Sequence, residues 1–249
     1  MIALISMGLF DEKDLTLRGI EETRKSGKVY IEFYTGKWHG NLKNLEKMIG
    51  KKVTELKRSD LEENSRKIVD EAKKQDIAIL VQGSAVVQTT HLALIEEAKK
   101  LGIKTKIIHN ASIISTIGET GLHPQKFGQY TTIPFPERTK GKLPKSVFEV
   151  IKENQKRGLH TLCLLDLDME NNRYMFLGEA LTILIKGKVV SEDSKIVVFA
   201  SVGSDRPLIA YGKVKSLINR NVTNIPAILI VPSRLHYTED EFLKLYTVV

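Results

Sequence analysis

The stretch from Gln75 to Gly121, QDIAILVQGSAVVQTTHLALIEEAKKLGIKTKIIHNASIISTIGETG, alternates so regularly that few folds accommodate it. It reads strand, loop, helix, strand, loop, helix. Ile77 to Val81 is an unbroken apolar run ending at Gln82-Gly83, the pattern of a parallel strand buried on both faces and leaving its sheet at a turn. From Thr89 to Lys100, residues Leu92, Ile95 and Ala98 recur at helical spacing, with Lys99 and Lys100 at the negative end of the dipole and Gly102 as the stop. Thr105 to His109 is the next strand, and Ser112 can cap a short helix through Ile113, Ile114 and Ile117 that Gly118 and Gly121 close. Open α/β sheets bind ligands outside the carboxyl ends of their strands. Gly83 to Val87 and Asn110 to Ile113 are therefore the first candidates for a ligand site.

The flanking sequence extends the same alternation. Ile2 to Ser6 reads as a strand leaving through Gly8, Asp11 to Asp14 place acids ahead of a helix from Thr16 to Lys25, and Val29 to Tyr34 is a second strand. Thr35 to Asn41 is neither periodic nor apolar and reads as an exposed loop. Ser59-Asp60-Leu61-Glu62 has the form of a capping box opening a helix from Asp60 to Lys74. Residues 1–115 are accordingly predicted to form a doubly wound α/β domain.

Thr132 to Pro144 reads as an irregular surface loop. Beyond it the pattern predicts a helix over 147–157, a strand over 161–167, a helix over 175–185 and strands over 195–200, 208–214 and 225–231. A second capping box, Thr238-Glu239-Asp240-Glu241, opens a helix to Tyr246. Residues 116–249 are thus predicted to be a second α/β domain with a mixed sheet.

A chain of 249 residues can bury a substantial core, and 42% hydrophobic with 27% charged residues excludes a disordered or membrane-embedded protein. No run approaches the roughly 20 apolar residues of a membrane span, and the apolar start, Met1 to Met7, is too short for a signal core. A cytoplasmic protein is expected. The single cysteine, Cys163, lies in an apolar run and reads as core. The net charge of +8 comes from lysines spread along helices, not gathered with aromatics, which reads as solvated surface and not as a nucleic-acid groove.

A glycine-rich dinucleotide fingerprint after the first strand, a phosphate-binding loop, H-E-x-x-H and C-x-x-C are all missing from the sequence, which argues against Rossmann-type methyltransferases, triphosphatases and zinc enzymes. No metal is expected: His160 and Cys163 are three apart on a strand and point to opposite faces. His160, Leu162, Leu164, Asp166 and Asp168 share one face of that strand. Asp166 and Asp168 are either a proton-accepting pair or the solvated exit of the strand, and no catalytic residue is assigned.

The segments MGLFDEKDLTLRG (7–19), EFYTG (32–36), TTH (89–91), ASI (111–113), TGLHPQKFG (120–128), VIKENQKRGLHTLCLLD (150–166) and ILIVPSRLH (228–236) stand in the order and spacing of one family. The chain resembles the archaeal diphthine synthases, within the tetrapyrrole methylase group of S-adenosylmethionine-dependent methyltransferases. That resemblance implies two α/β domains with the cofactor, S-adenosyl-L-methionine, in the cleft between them, and S-adenosyl-L-homocysteine as product. It implies methylation of the amino group of a 3-amino-3-carboxypropyl-histidine on translation elongation factor 2, and a homodimer. It also implies cofactor contacts at Leu9, Ser84, Val87, Ser112, Ile113, Leu165, Val202 and His236. His91 and His123 match family positions without a role readable from spacing. Where the family has Gly-Asp-Pro, this chain has Gly83-Ser84-Ala85 and lacks the acid. A tetrapyrrole substrate on the same fold, or a non-enzymatic RNA- or ribosome-associated relative, is compatible with that departure and with the positive charge.

Overall fold

A computed structural model describes residues 1–220 and 222–248. The chain divides into two compact units, Met1–Ser115 and Thr116–Val249. In the first, strands β1 (Ile2–Ser6), β2 (Lys28–Glu32), β3 (Thr54–Leu56), β4 (Ile77–Val81) and β5 (Thr105–Ile108) form one sheet in the order β3-β2-β4-β1-β5. Each pairing is parallel. Between them run α1 (Leu17–Lys25), α2 (Leu42–Ile49), α3 (Arg58–Glu62), α4 (Ser65–Glu71) and α5 (Leu92–Lys100), with α6 (Ile113–Thr116) following β5.

Alternation along the strands sends side chains to both faces, and both are apolar because both are covered. Ile2, Leu4, Ile77, Ile79 and Val81 pack with Leu61, Ile68, Val69, Leu94, Ile95 and Ala98, so α3, α4 and α5 lie on that face. Ala3, Ile5, Val29, Ile31, Ala78 and Leu80 pack with Ile20, Leu45 and Ile49, which places α1 and α2 on the other.

Two sequence expectations fail here for local reasons. The predicted helix over 60–74 is broken: α3 starts earlier, with the Asp60 carboxylate reaching back 2.9 Å to the Lys57 N–H. The backbone N–H of Asn64 and its side-chain amide then both donate to the Ser59 carbonyl, at 2.8 and 3.1 Å, and end the helix. The loop at 35–41 is not simply exposed. Trp38 stacks on Phe33 at 5.4 Å and joins the core, and the half-buried turn is pinned by the Asn41 N–H donating to Glu12 at 2.9 Å.

In the second unit β6 (Thr131–Ile133), β7 (Thr161–Leu165), β10 (Lys195–Ala200), β11 (Leu208–Lys213), β12 (Ala227–Val231) and β13 (Thr247–Val248) form a mixed sheet in the order β13-β11-β10-β12-β7-β6. The intervening β8 (Leu167–Asp168) and β9 (Arg173–Tyr174) make a small antiparallel ribbon. Helices α7 (Lys145–Lys156), α8 (Leu177–Lys186), α9 (Val214–Asn219) and α10 (Tyr237–Lys244) complete the unit. Cys163, Ile196, Val198, Ala210, Leu229 and Val231 pack one face of the sheet on α7, α8 and α9. Among the described residues, no helix is long and apolar enough to cross a membrane.

The TGLHPQKFG segment is shaped by two glycines. At Gly121, with φ +79°, an added Cβ would lie 2.1 Å from the Phe242 ring, and at Gly128 it would lie 2.0 Å from the Asn154 amide oxygen. Gly121→Ala is therefore expected to destabilise the protein by about 1–3 kcal/mol, combining left-handed backbone strain with displacement of a ring. Urea unfolding measures it, and an unchanged midpoint would refute the steric account.

Candidate functional site

β1 and β4 are adjacent and parallel, yet the chain leaves β1 for a helix on one face and β4 for a helix on the other. Their exit loops diverge, and this is the strand pair where a doubly wound sheet opens a crevice. Past the parallel ladder the loops are tied by an isolated antiparallel bridge, in which the Gly8 and Gly83 N–H groups donate to one another's carbonyls at 3.2 and 2.8 Å. Gly8 has φ +90°, and a Cβ there would stand 2.5 Å from the Asp14 Cβ.

Three polar side chains fix the loops. The Asp14 carboxylate accepts the Leu9 and Phe10 N–H groups at 3.0 and 2.6 Å, so it serves the loop and is not the helix-leading charge that its position suggests. Gln82 donates its amide to the Leu9 carbonyl at 3.0 Å. Asn110 donates to the Asp14 and Ser6 carbonyls at 2.8 and 3.3 Å and thereby joins the exit of β5 to that of β1. Of the three, only Asn110 falls in a stretch the sequence singles out, and there as part of a loop and not for this bonding role. Short-range signals mark Asp14 only as an acid before a helix, and nothing local marks Gln82.

Leu9, Ser84, Val87 and Ser112 stand on these three loops and Ile113 opens α6, all at the carboxyl ends of the neighbouring strands β1, β4 and β5. Leu9, Val87 and Ile113 are half-buried and not sealed core, while Ser84 and Ser112 are buried. The departure at 84–85 has a local consequence. The Ala85 N–H donates to the Ser6 hydroxyl at 3.0 Å, a bond that a proline at this position lacks the hydrogen to make.

In the second unit the sheet sorts the expected residues to opposite ends. β7 and β10 both run antiparallel to the strand between them, β12, so Leu165 and the turn holding Val202 share one end, where β12 begins at Ala227. Ser201, with φ 52°, gives that turn its left-handed bend. His236 lies beyond the last residue of β12, and Val231 pairs with Thr161 at the start of β7. Along the sheet His236 therefore stands at the opposite end from Leu165 and Val202.

What His236 does instead is visible in its contacts. It is the N-cap of α10, its ring accepting from the Thr238 side, and its N–H donates to the Glu239 carboxylate at 2.7 Å. The capping box thus begins two residues earlier than the sequence pattern suggests, because Glu239 and not Glu241 is the acid that reaches back. Glu239 is fully buried and also accepts the His123 N–H at 2.8 Å, the Lys126 ammonium at 2.5 Å and the His160 ring at 3.1 Å. Burial alone would raise its pKa, but the bonds from Lys126, His236, His123 and His160 outweigh it and hold the carboxyl at about 2. His160, which takes the Ser233 N–H on its other nitrogen at 3.0 Å, is neutral and kept so by desolvation. The family segments 120–128, 150–166 and 228–236 meet at this one carboxylate.

The remaining candidates are structural. Asp166 is buried, accepts the Phe135 and Leu167 N–H groups at 2.9 Å each, and pairs with Arg138 at 3.1 Å. Asp168 closes the β8–β9 turn through Asn171 at 2.8 Å, a bond that lowers its pKa and makes it a poor base. The idea of a proton-accepting pair is corrected accordingly. Burial pushes the Cys163 thiol up to about 12, so it is core and no nucleophile. Among the described residues no cluster of His, Cys, Asp and Glu is arranged to hold a metal ion.

The arrangement has close counterparts. The profile of the tetrapyrrole (corrin/porphyrin) methylases matches residues 1–218. The diphthine synthase of Methanocaldococcus jannaschii is 43% identical over 98% of this chain and 98% of its own length. That of Methanococcus aeolicus is 40% identical over 98% and 97%. A crystal structure of a diphthine synthase superposes with a TM-score of 0.90 at 33% identity, covering 99% of this chain and 95% of that one. With sequence and fold in agreement from the first strand to the last, the chain belongs to the tetrapyrrole methylase family.

Proposed function

We propose that the protein is a diphthine synthase, an S-adenosyl-L-methionine-dependent N-methyltransferase acting on the amino group of the 3-amino-3-carboxypropyl-histidine of translation elongation factor 2 and carrying it to the trimethylated state. The observation that carries the reading is full-length correspondence with diphthine synthases, at 43% identity over 98% of the chain, in place of a match confined to the fold. A homodimer in the cytoplasm belongs to the same reading.

The crevice residues suit an adenosyl cofactor on two counts. The Gly83 backbone borders open space, where an added Cβ would meet nothing within 4 Å. The buried amide oxygen of Gln82 has no partner among the described residues and offers an acceptor at the same loop. We assign Leu9, Ser84, Val87, Ser112 and Ile113 as contacts in the first unit and Leu165 and Val202 in the second; His236, committed to its cap, is left out. When bound, the cofactor supplies a methyl on a sulfonium, already a strong electrophile. Leu9, Val87 and Ile113 strip water from apolar parts of the ligand, and the Ser84 hydroxyl hydrogen-bonds where the family aspartate also brings charge. With Asp166 and Asp168 engaged in the fold, the protein's contribution is mainly orientation and exclusion of water.

The test is methyl transfer from labelled S-adenosylmethionine to elongation factor 2 that carries the aminocarboxypropyl group, beside factor that lacks it and beside a tetrapyrrole polycarboxylate. Label is expected on the modified factor alone. Transfer to the tetrapyrrole with none to the factor would overturn the proposal.

A further inference from the structure

Glu32, the last residue of β2, and His91, which precedes α5, are both buried and face one another at 3.9 Å. Such a pair is costly to bury unless it is organised. Glu32 accepts the Tyr34 and Thr35 N–H groups at 2.9 and 3.0 Å and also the Thr35 hydroxyl. His91 places Nδ1 at 3.3 Å from the Ala85 carbonyl and Nε2 at 3.3 Å from the Tyr34 hydroxyl. A carbonyl carries no hydrogen, so Nδ1 must donate. In the neutral ring Nε2 then accepts from Tyr34.

Ala85 is the fixed point of the loop that follows β4. Its carbonyl takes the Thr89 hydroxyl at 2.8 Å as well as His91, and its N–H is bound to Ser6. The loop bends left-handed at both ends, at Gly83 (φ 68°) and at Gln88 (φ 60°), and a non-glycine residue holds that bend only when its surroundings enforce it. Ser84 and Val87 sit between these bends, with the Val87 N–H donating to the Ser84 carbonyl at 3.1 Å.

We infer that His91 is a positioning residue that holds the Gly83–His91 loop through the Ala85 carbonyl and shares a single buried proton with Glu32. The consequence for cofactor binding rests on the reading of Ser84 and Val87 given above; the hold on the loop does not. The charged and titratable groups around His91 are Glu32 at the end of β2, Tyr34 beyond it and, on α3, Glu62, which accepts the Thr90 hydroxyl at 2.9 Å and pairs with Arg58 at 2.8 Å.

Proton linkage separates this arrangement from mere packing. Burial pushes Glu32 up to about 7 from 4.5, so by itself it withdraws stability as pH rises between those values. Burial lowers His91 from 6.5, so by itself it withdraws stability as pH falls below that value. Opened, the pair carries its proton on the imidazole; closed, on the carboxyl. The proton count hardly changes, and the two slopes cancel while both residues are present.

The experiment is hydrogen exchange of the 83–91 peptide, corrected for intrinsic rates, between about pH 5 and about pH 7. The full chain is compared with His91→Asn, Glu32→Gln and His91→Ala. The wild type is expected to be nearly flat. In His91→Asn, whose amide nitrogen can replace Nδ1, protection should fall as pH rises, by a factor approaching tenfold per unit. In Glu32→Gln it should rise. His91→Ala should share the slope of His91→Asn, exchange about tenfold faster than His91→Asn at each pH because it also lacks the bond to the Ala85 carbonyl, and weaken S-adenosylhomocysteine binding by a similar factor. Parallel slopes in wild type, His91→Asn and Glu32→Gln, or unchanged loop exchange in His91→Ala, would overturn the inference. Opposite slopes with no detectable S-adenosylhomocysteine binding by wild type would support the hold on the loop and sink the cofactor reading instead.

Discussion

Glu239→Ala is expected to cost about 3–5 kcal/mol, because it leaves the Lys126 ammonium and the His123, His236 and His160 donors without the carboxylate they converge on. Urea unfolding followed by circular dichroism measures the loss, and hydrogen exchange should place it at 120–128 and at the start of α10. The sign with pH follows from the held carboxyl. With a folded pKa near 2 against 4.5 for the free group, the stabilisation is complete above 4.5 and is lost as pH falls toward 2. Glu239→Gln should therefore be less acid-sensitive than wild type in that window while being less stable at neutral pH. Equal neutral-pH stability of Glu239→Ala and wild type would mean that the hub is replaceable by water.

Gly8→Val is expected to reduce S-adenosylhomocysteine binding by at least about 100-fold, roughly 3 kcal/mol. The added Cβ needs space that Asp14 Cβ occupies at 2.5 Å and a φ of +90° that valine resists. Moving the 7–10 loop breaks its paired bonds with Gly83 and releases Leu9 from Asp14. Gly50→Ala is the control, since Gly50 ends α2 with φ +70° and open space around its Cα. It carries the same kind of backbone strain without the clash and should leave binding intact. Calorimetric titration of both variants separates crevice geometry from general strain, and tight binding by Gly8→Val would rule out this crevice as the cofactor site.

Elements whose cause is local are the ones legible in sequence. Lys195–Ala200 has the same bounds in pattern and structure, and Ile77–Val81 and its exit turn are where the apolar run and Gly83 put them. The loops of the crevice are likewise readable from strand ends alone. What sequence pattern misses is decided at long range. Leu42–Ile49 carries a helical stripe in Leu45 and Ile49, but the following strand, Thr54–Leu56, is short and largely exposed and exists because β2 offers it an edge. The two capping boxes are misplaced because Asp60 and Glu239 are the acids that reach back, to the N–H groups of Lys57 and His236, neither of which is a Ser or Thr that the pattern looks for. His236 looks like a loop histidine near a strand exit. Only the antiparallel course of β12 reveals which end of the sheet that exit faces.

The position of β1 bears on how the protein folds. Its residues, the first of the chain, pair with Ile77–Val81 on one side and Thr105–Ile108 on the other, whereas β10 and β11 are sequence neighbours joined as a hairpin. Loop-closure entropy must be met before distant contacts return anything, and rates fall as contacting residues lie farther apart. The second unit can therefore nucleate locally, while the first must wait until β1 finds partners separated from it by most of that unit. The crevice exists only where β1 meets β4. It is thus among the last features of the first unit to take shape, and a chain interrupted before Ile108 has no finished place for a ligand.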